Sequence, residues 1–153
     1  MLVAAAVFPH PPLLVPEVAA GAAEELSGLR AACRKAIDTV LGSDVQRVVV
    51  IGGGAVRATF GPGARGSLAG FGVPIEVCVP GAAPTGELVL PLSATIGCWL
   101  LREYQLGDGS ASCPVTVEVV PAEAAPVDAL GLGAGLGAGL TASADRVGLL
   151  VMG

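Results

Sequence analysis

The sequence predicts one α/β domain, a sandwich with a largely parallel or mixed central sheet and helices on its faces. Two observations carry this prediction. Short apolar runs without polar alternation recur along the chain, as in strands that are buried on both faces. Segments with helical spacing of apolar residues lie between them, and such alternation favours parallel pairing. The 153 residues suffice for one domain with a core, and residues 1–153 contain no evident boundary.

The first part of the chain predicts a strand, a helix and a second strand. Leu2–Phe8 is a continuous apolar run, and the prolines in Pro9–Pro16 exclude a helix directly after it. Glu17–Leu41 has apolar residues at steps of three and four, and Gly42 is suited to end that helix. Arg47–Ile51 is again apolar after its first residue and predicts a strand that runs into three glycines.

The later part of the chain is richer in glycine. Residues 55–72 are predicted to form a long Gly-rich loop. A strand, a helix and two more strands are predicted to follow, over Val73–Val79, Pro91–Tyr104, Pro114–Val120 and Arg146–Met152. The helix has proline in its first turn, where proline is tolerated. Residues 122–144 are almost only Ala, Gly and Leu, which fits either a weak helix or a loop because glycine destabilises helices.

The chain stops at Gly153, directly after an apolar strand. In α/β domains the functional loops follow the carboxyl ends of the strands, and a covering helix usually comes next. We therefore expect the domain to be C-terminally incomplete, the N-terminal part of a longer one. The alternative is that a partner protein, or a second copy in a homo-oligomer, covers the C-terminal strand.

Composition and charge exclude several classes of function. No run of about 18 clean apolar residues is present despite 53% hydrophobic residues, so no membrane association is expected. The basic residues are scattered in a chain of net charge −5, so no nucleic acid partner is expected. Without a basic segment before the first apolar run, a signal peptide is not expected, and we predict a cytoplasmic protein with four free, mostly buried cysteines.

The glycines after the second strand raise the question of phosphate binding. Gly52, Gly53 and Gly54 follow a strand, where backbone N–H groups can approach an anion. The dinucleotide fingerprint G-x-G-x-x-G fails because Arg57 stands at its third glycine position. One interpretation is an anion- or nucleotide-binding module that uses these glycines with Arg57 and Arg65. The other is a flexible loop whose arginines lie in water.

His10 is the only histidine of the chain and lies just beyond the first strand, between prolines. Loops at the carboxyl ends of strands carry the site residues of α/β folds. An imidazole there can ligate a metal ion or exchange protons near neutral pH. The alternative is a loop histidine that is hydrogen-bonded to the backbone.

The segment Phe8-Pro9-His10-Pro11-Pro12-Leu13-Leu14-Val15-Pro16-Glu17 resembles the start of the LigB-like superfamily. This superfamily includes the catalytic chains of class III extradiol ring-opening dioxygenases, the Memo proteins and their relatives in the AmmeMemoRadiSam system. The likeness continues loosely as far as Gly153. More narrowly, the chain is similar to an Ala-rich actinobacterial branch of these extradiol dioxygenase-like proteins.

The resemblance implies an oxidoreductase whose non-haem Fe(II) is held by two histidines and one glutamate. His10 occupies the position of the first metal-binding histidine. The second should follow the second strand, where Gly52, Gly53 and Gly54 stand instead. The acid–base histidine and the glutamate would lie beyond Gly153, so catalytic residues cannot be assigned and Fe(II) or another divalent metal is implied only by the family.

Two functions therefore follow from the resemblance. The first is an extradiol dioxygenase-like protein with a degenerate metal site, which binds a small molecule or a partner through the region of His10. The second is an active iron-dependent dioxygenase that opens a catechol-like ring. One imidazole alone does not hold Fe(II) against water, so we favour the first.

Overall fold

The structure is a computed structural model that describes residues 1–84, 86–105, 113–121, 123–142 and 144–153. Its strands are β1 (Leu2–Phe8), β2 (Arg47–Gly54), β3 (Ala58–Phe60), β4 (Arg65–Ser67), β5 (Glu76–Cys78), β6 (Val115–Pro121) and β7 (Val147–Met152). Its α-helices are α1 (Pro16–Ala19), α2 (Ser27–Leu41), α3 (Leu92–Gln105) and α4 (Pro126–Ala142). Short 3-10 segments cover Pro12–Leu14, Ala20–Leu26 and Ala69–Phe71.

The main sheet has five strands in the order β1-β7-β2-β6-β3. The first four of these are parallel to their neighbours, and only β3 runs antiparallel, against β6. The strands β4 and β5 form a separate antiparallel pair. The predicted α/β class with a largely parallel sheet and helices is therefore confirmed.

The two faces of the sheet carry different helices. On β2, Val48 and Val50 point to the face that α2 and α3 cover, and both are fully buried. Val49 and Ile51 point to the other face, under α4. The apolar run of β2 thus reflects a strand with helices on both sides, as predicted. For β1 the prediction of burial on both faces is wrong, because Leu2, Ala5 and Val7 are exposed.

The segment predicted as one helix over Glu17–Leu41 is interrupted. The short helix α1 ends at Ala20, whose φ of 47° is unusual for a residue with a side chain. A 3-10 segment then leads into α2. Leu14, Val15 and Ala19 are buried, so the start of this region is fixed to the core independently of α2.

Two further predictions differ from the structure in detail, and one alternative that the sequence left open is decided. Residues 55–72 are not one loop, because they include β3, β4 and a 3-10 turn. The strand predicted over Val73–Val79 is limited to β5 and lies outside the main sheet. Within the range 122–144, for which a weak helix or a loop was predicted, the helix α4 covers Pro126–Ala142, and residues 122 and 143 lie outside the described residues.

The C-terminal strand β7 lies inside the sheet. It pairs with β1 on one side and with β2 on the other, so neither of its edges is open to a partner protein. The sheet edge on this side is formed by β1. Within the described ranges, no helix is long and apolar enough to cross a membrane.

Candidate functional site

The parallel strands bring the predicted site residues to one edge of the sheet. The carboxyl ends of β1, β7, β2 and β6 meet there, with Phe8 beside Met152 and Gly54 beside Pro121. The connection from β2 to β6 includes α3, which lies on one face of the sheet. The connection from β6 to β7 includes α4, which lies on the other face. Ligands of open α/β sheets bind where neighbouring connections leave on opposite faces, which here is the crevice between β2 and β6.

The glycines at the end of β2 allow the start of α3 to approach the strand closely. A β-carbon on Gly52 would stand 2.5 Å from Ser93 Oγ and 3.1 Å from the Ala94 amide nitrogen. Ser93 Oγ donates a hydrogen bond of 2.8 Å to the carbonyl oxygen of Gly53. A β-carbon on Gly54 would stand 2.5 Å from Val119 Cγ1. Close helix–strand packing is thus a physical reason for glycine at Gly52, and the side chain of Val119 in β6 is the corresponding reason at Gly54.

The two arginines considered for anion binding are in different surroundings. Arg57 is exposed in the turn after β2. Arg65 is part of β4, where its guanidinium forms an ion pair with Glu76 and donates a 3.0 Å hydrogen bond to the carbonyl of Gly86. Arg65 therefore does not lie free in water, as one interpretation of this loop expected, but connects β4 to its neighbours.

A cavity of about 250 Å³ opens beside the glycine end of β2. Its walls come from the end of β2, from β3, from Val119 of β6 and from the segment that leads into α3. Every residue that lines it is glycine or has an apolar side chain; the innermost group includes Gly54, Ala58, Phe60, Leu90, Pro91 and Val119. Val56 is 69% exposed and Val89 is 45% exposed, so the cavity has an apolar rim open to solvent.

His10 also lies beyond the carboxyl end of a parallel strand, β1, but it does not line this cavity. The side chain is partly buried, and its Nδ1 is buried without a hydrogen-bond partner in the described ranges. The loop is held by the Leu14 amide, which donates a 3.0 Å hydrogen bond to the carbonyl of Pro11. A backbone partner for Nδ1, as in the alternative interpretation of His10, is therefore not seen.

The residues around His10 do not fit the family's iron site. Among the residues that the structure describes, no three His, Cys, Asp or Glu side chains come close enough together to hold a metal ion. The thiols are free, and Cys33 and Cys98 are buried. Burial, with a smaller contribution from Cys78, raises the pKa of Cys98 to about 12, so this thiol stays protonated. Within the described ranges, His10 thus belongs to no set of three side chains that could hold a metal ion.

A second cavity, of about 230 Å³, lies between the sheet and α4. Its floor includes Arg47, Thr116 and Glu118, and Gly135 and Gly139 of α4 form part of its roof. Glu118 accepts a 2.9 Å hydrogen bond from Thr59 Oγ1, and Arg47 Nε lies 3.6 Å from an Asp145 carboxylate oxygen. Sequence reasoning missed this cavity, although the polar alternation of Thr116 and Glu118 within β6 was a visible signal.

Comparisons with known proteins add no family assignment. No family model matches the chain, and no curated protein matches it either. The likeness to the LigB-like superfamily therefore stays a prediction from the residues around His10.

Proposed function

We propose that the chain is a LigB-like domain with a degenerate metal site, and that it binds a small, largely apolar molecule at the carboxyl edge of its sheet. The observation that carries this proposal is the apolar cavity of about 250 Å³ beside Gly54. Pockets for drug-sized ligands usually measure roughly 300–1,000 Å³. A cavity slightly smaller than that suits a single ring with few substituents.

The lining of the cavity determines the class of ligand. Phe60, Leu90 and Val119 offer contact area but no hydrogen-bonding side chain, so transfer of apolar surface from water is the main driving force. An aromatic ring that loses about 150 Å² of exposed area gains roughly 4 kcal/mol at 25 cal/mol per Å². Association also costs translational and rotational entropy, so we expect a dissociation constant that is millimolar or weaker. A nucleotide, which is larger and charged, fits these walls poorly.

His10 is not assigned a role in ring opening. It follows β1, which β7 separates from β2, and it does not line the cavity, so the proposal includes no contact between its imidazole and the ligand. A facial iron site needs two histidines and a carboxylate, whereas His10 has no such neighbours among the described residues. We therefore assign no step of oxygen chemistry to this chain.

The test is a titration of the protein with catechol, in which binding is measured by calorimetry or by changes in NMR chemical shifts. Ala58→Leu adds a side chain inside the cavity and should weaken binding at least tenfold. Ala32→Leu is the matched control, because Ala32 is exposed on α2, away from the sheet edge, and this variant should bind as the unmodified chain does. Equal affinity in both variants would place the ligand elsewhere and contradict the proposal.

Metal analysis separates this proposal from the active dioxygenase. After anaerobic incubation with Fe(II) and removal of excess metal, we expect iron well below one equivalent per chain. Stoichiometric iron, together with ring opening that is lost in His10→Ala, would establish the dioxygenase instead.

A further inference from the structure

The strand β1 leaves one edge of the main sheet open. It pairs with β7 on one side, and no strand of the described ranges pairs with its other side. All seven residues of β1 are apolar, and Val7 is 73% exposed. Edge strands are usually protected by charged side chains, proline, short length or a β-bulge. Charge, proline and short length are not present within β1, and its one irregularity is a shift of register between Leu2 and Ala4, so residues 4–8 form a regular edge.

The backbone groups that face this open edge can be identified. The carbonyl oxygen of Phe8 accepts a 3.0 Å hydrogen bond from the amide of Gly153, so Phe8 faces β7. Successive residues of a strand direct their N–H and C=O groups to opposite edges. The N–H and C=O groups of Val7 and Ala5 therefore point outward, to the open edge.

We infer that β1 pairs antiparallel with β1 of a second copy of this chain, around a two-fold axis at Ala5, and joins two sheets into one. In this register Ala5 lies opposite its own copy, and Val3 lies opposite Val7 of the second copy. The outward-pointing groups of Ala5 then form hydrogen bonds with each other, as in the closely spaced pairs of an antiparallel ladder. The contact is isologous, which is the commonest form of dimer.

The sequence of β1 favours a second copy as the partner. Leu-Val-Ala-Ala-Ala-Val-Phe places a valine two residues on each side of Ala5, so the strand is nearly symmetric about that residue. Ala5 and Val7 point to the same face, Val3 lies at the register shift between Leu2 and Ala4, and cross-strand pairs of β-branched residues stabilise sheets. An axis at Ala6 would instead place Pro9 opposite Val3, and proline lacks the N–H that the ladder needs. The absence of charge on β1 removes repulsion between the copies.

The mass of the protein in solution tests the dimer. Light scattering on a sizing column should give twice the chain mass for the unmodified protein at 100 µM, a concentration of about the scale at which weak complexes associate. Val7→Lys should shift it to the monomer, with unchanged circular dichroism. Val127→Lys is the matched control, because Val127 on α4 is also 73% exposed, and this variant should stay dimeric. A monomeric unmodified protein, or a dimeric Val7→Lys variant, would overturn the proposal.

A cross-linking experiment tests the register. Ala5→Cys brings two thiols together at the two-fold axis, so a short bismaleimide should link the chains efficiently. Val127→Cys should give no more product than the unmodified protein, whose own four cysteines set the background. Equal yields for the two variants would contradict pairing around Ala5.

Discussion

Cys98 illustrates how burial controls the chemistry of one residue. It lies in α3, fully buried against the sheet, and its pKa is raised from 9.0 to about 12. Desolvation of the thiolate is the main cause. The pKa of Cys33 and of Cys113 is raised by burial as well. A protein with such protonated thiols resists alkylation at its core positions while folded.

The raised pKa of Cys98 predicts how stability depends on alkaline pH. Above pH 9 the unfolded thiol ionises while the folded thiol keeps its proton, so the unfolded state is favoured increasingly as pH rises. Cys98 alone should lower the free energy of unfolding by about 1.4 kcal/mol per pH unit between the two pKa values. Urea unfolding of the unmodified protein and of Cys98→Ala at pH 8 to 11 measures this. Parallel pH dependences for the two proteins would disprove it.

The contact between α3 and β2 depends on glycine in both elements. A β-carbon on Gly97 of α3 would stand 2.8 Å from Val50 Cγ1, and one on Gly52 of β2 would stand 2.5 Å from Ser93 Oγ. Neither position has space for a methyl group. The glycine end of β2 therefore determines how closely the helix lies on the sheet, and through Pro91 it also shapes the cavity beside Gly54.

This packing predicts opposite effects for two similar substitutions. Gly52→Ala should destabilise the fold by roughly 1–3 kcal/mol, because the backbone of Ala94 cannot move away freely. Gly28→Ala should stabilise it by about 0.5–1 kcal/mol, because a methyl group on Gly28 meets nothing within 4 Å on the exposed surface of α2. Denaturant titration of both variants is the measurement. A stabilised Gly52→Ala variant would mean that α3 does not lie against β2.

The elements that the sequence predicted well are the longer strands. The strands β1, β2, β6 and β7 coincide with largely apolar runs of six to eight residues, which are typical of the parallel sheet of an α/β domain. The strands β3 and β4 were missed because each has three residues and depends on partners distant in the chain. The break at Ala20 was also missed, because apolar residues at helical spacing continue through the predicted segment Glu17–Leu41.

The candidate site was predictable only in part. His10 and Gly54 follow predicted strands, so their place at the carboxyl edge could be expected from parallel pairing alone. The cavity could not, because Phe60 and Leu90 reach it from segments whose positions depend on β3 and on the approach of α3. Patterns within one segment report burial, whereas the shape of a cavity arises from several segments together.

At the scale of the whole molecule, strands that are adjacent in the main sheet are distant from one another in the sequence. Strand β7 lies between β1 and β2, and Val147 pairs with both Leu2 and Arg47. The helix α4 returns the chain from β6 to that central place. Half of the main sheet therefore exists only when β7 is in position, and the fold should unfold as one unit rather than strand by strand.

This arrangement also has a consequence for the time course of folding. We expect contacts between residues as distant in sequence as Leu2 and Val147 to form late in folding, because closing such a long loop costs conformational entropy. Until then β1 and β2 each present an open edge to other chains in solution. We expect slow refolding from denaturant, with a yield that falls as protein concentration rises, measured by stopped-flow fluorescence of Trp99 and by turbidity. A refolding yield that does not depend on protein concentration would show that β7 pairs with β1 and β2 before different chains can associate. Aggregation during synthesis would then not be expected for this protein.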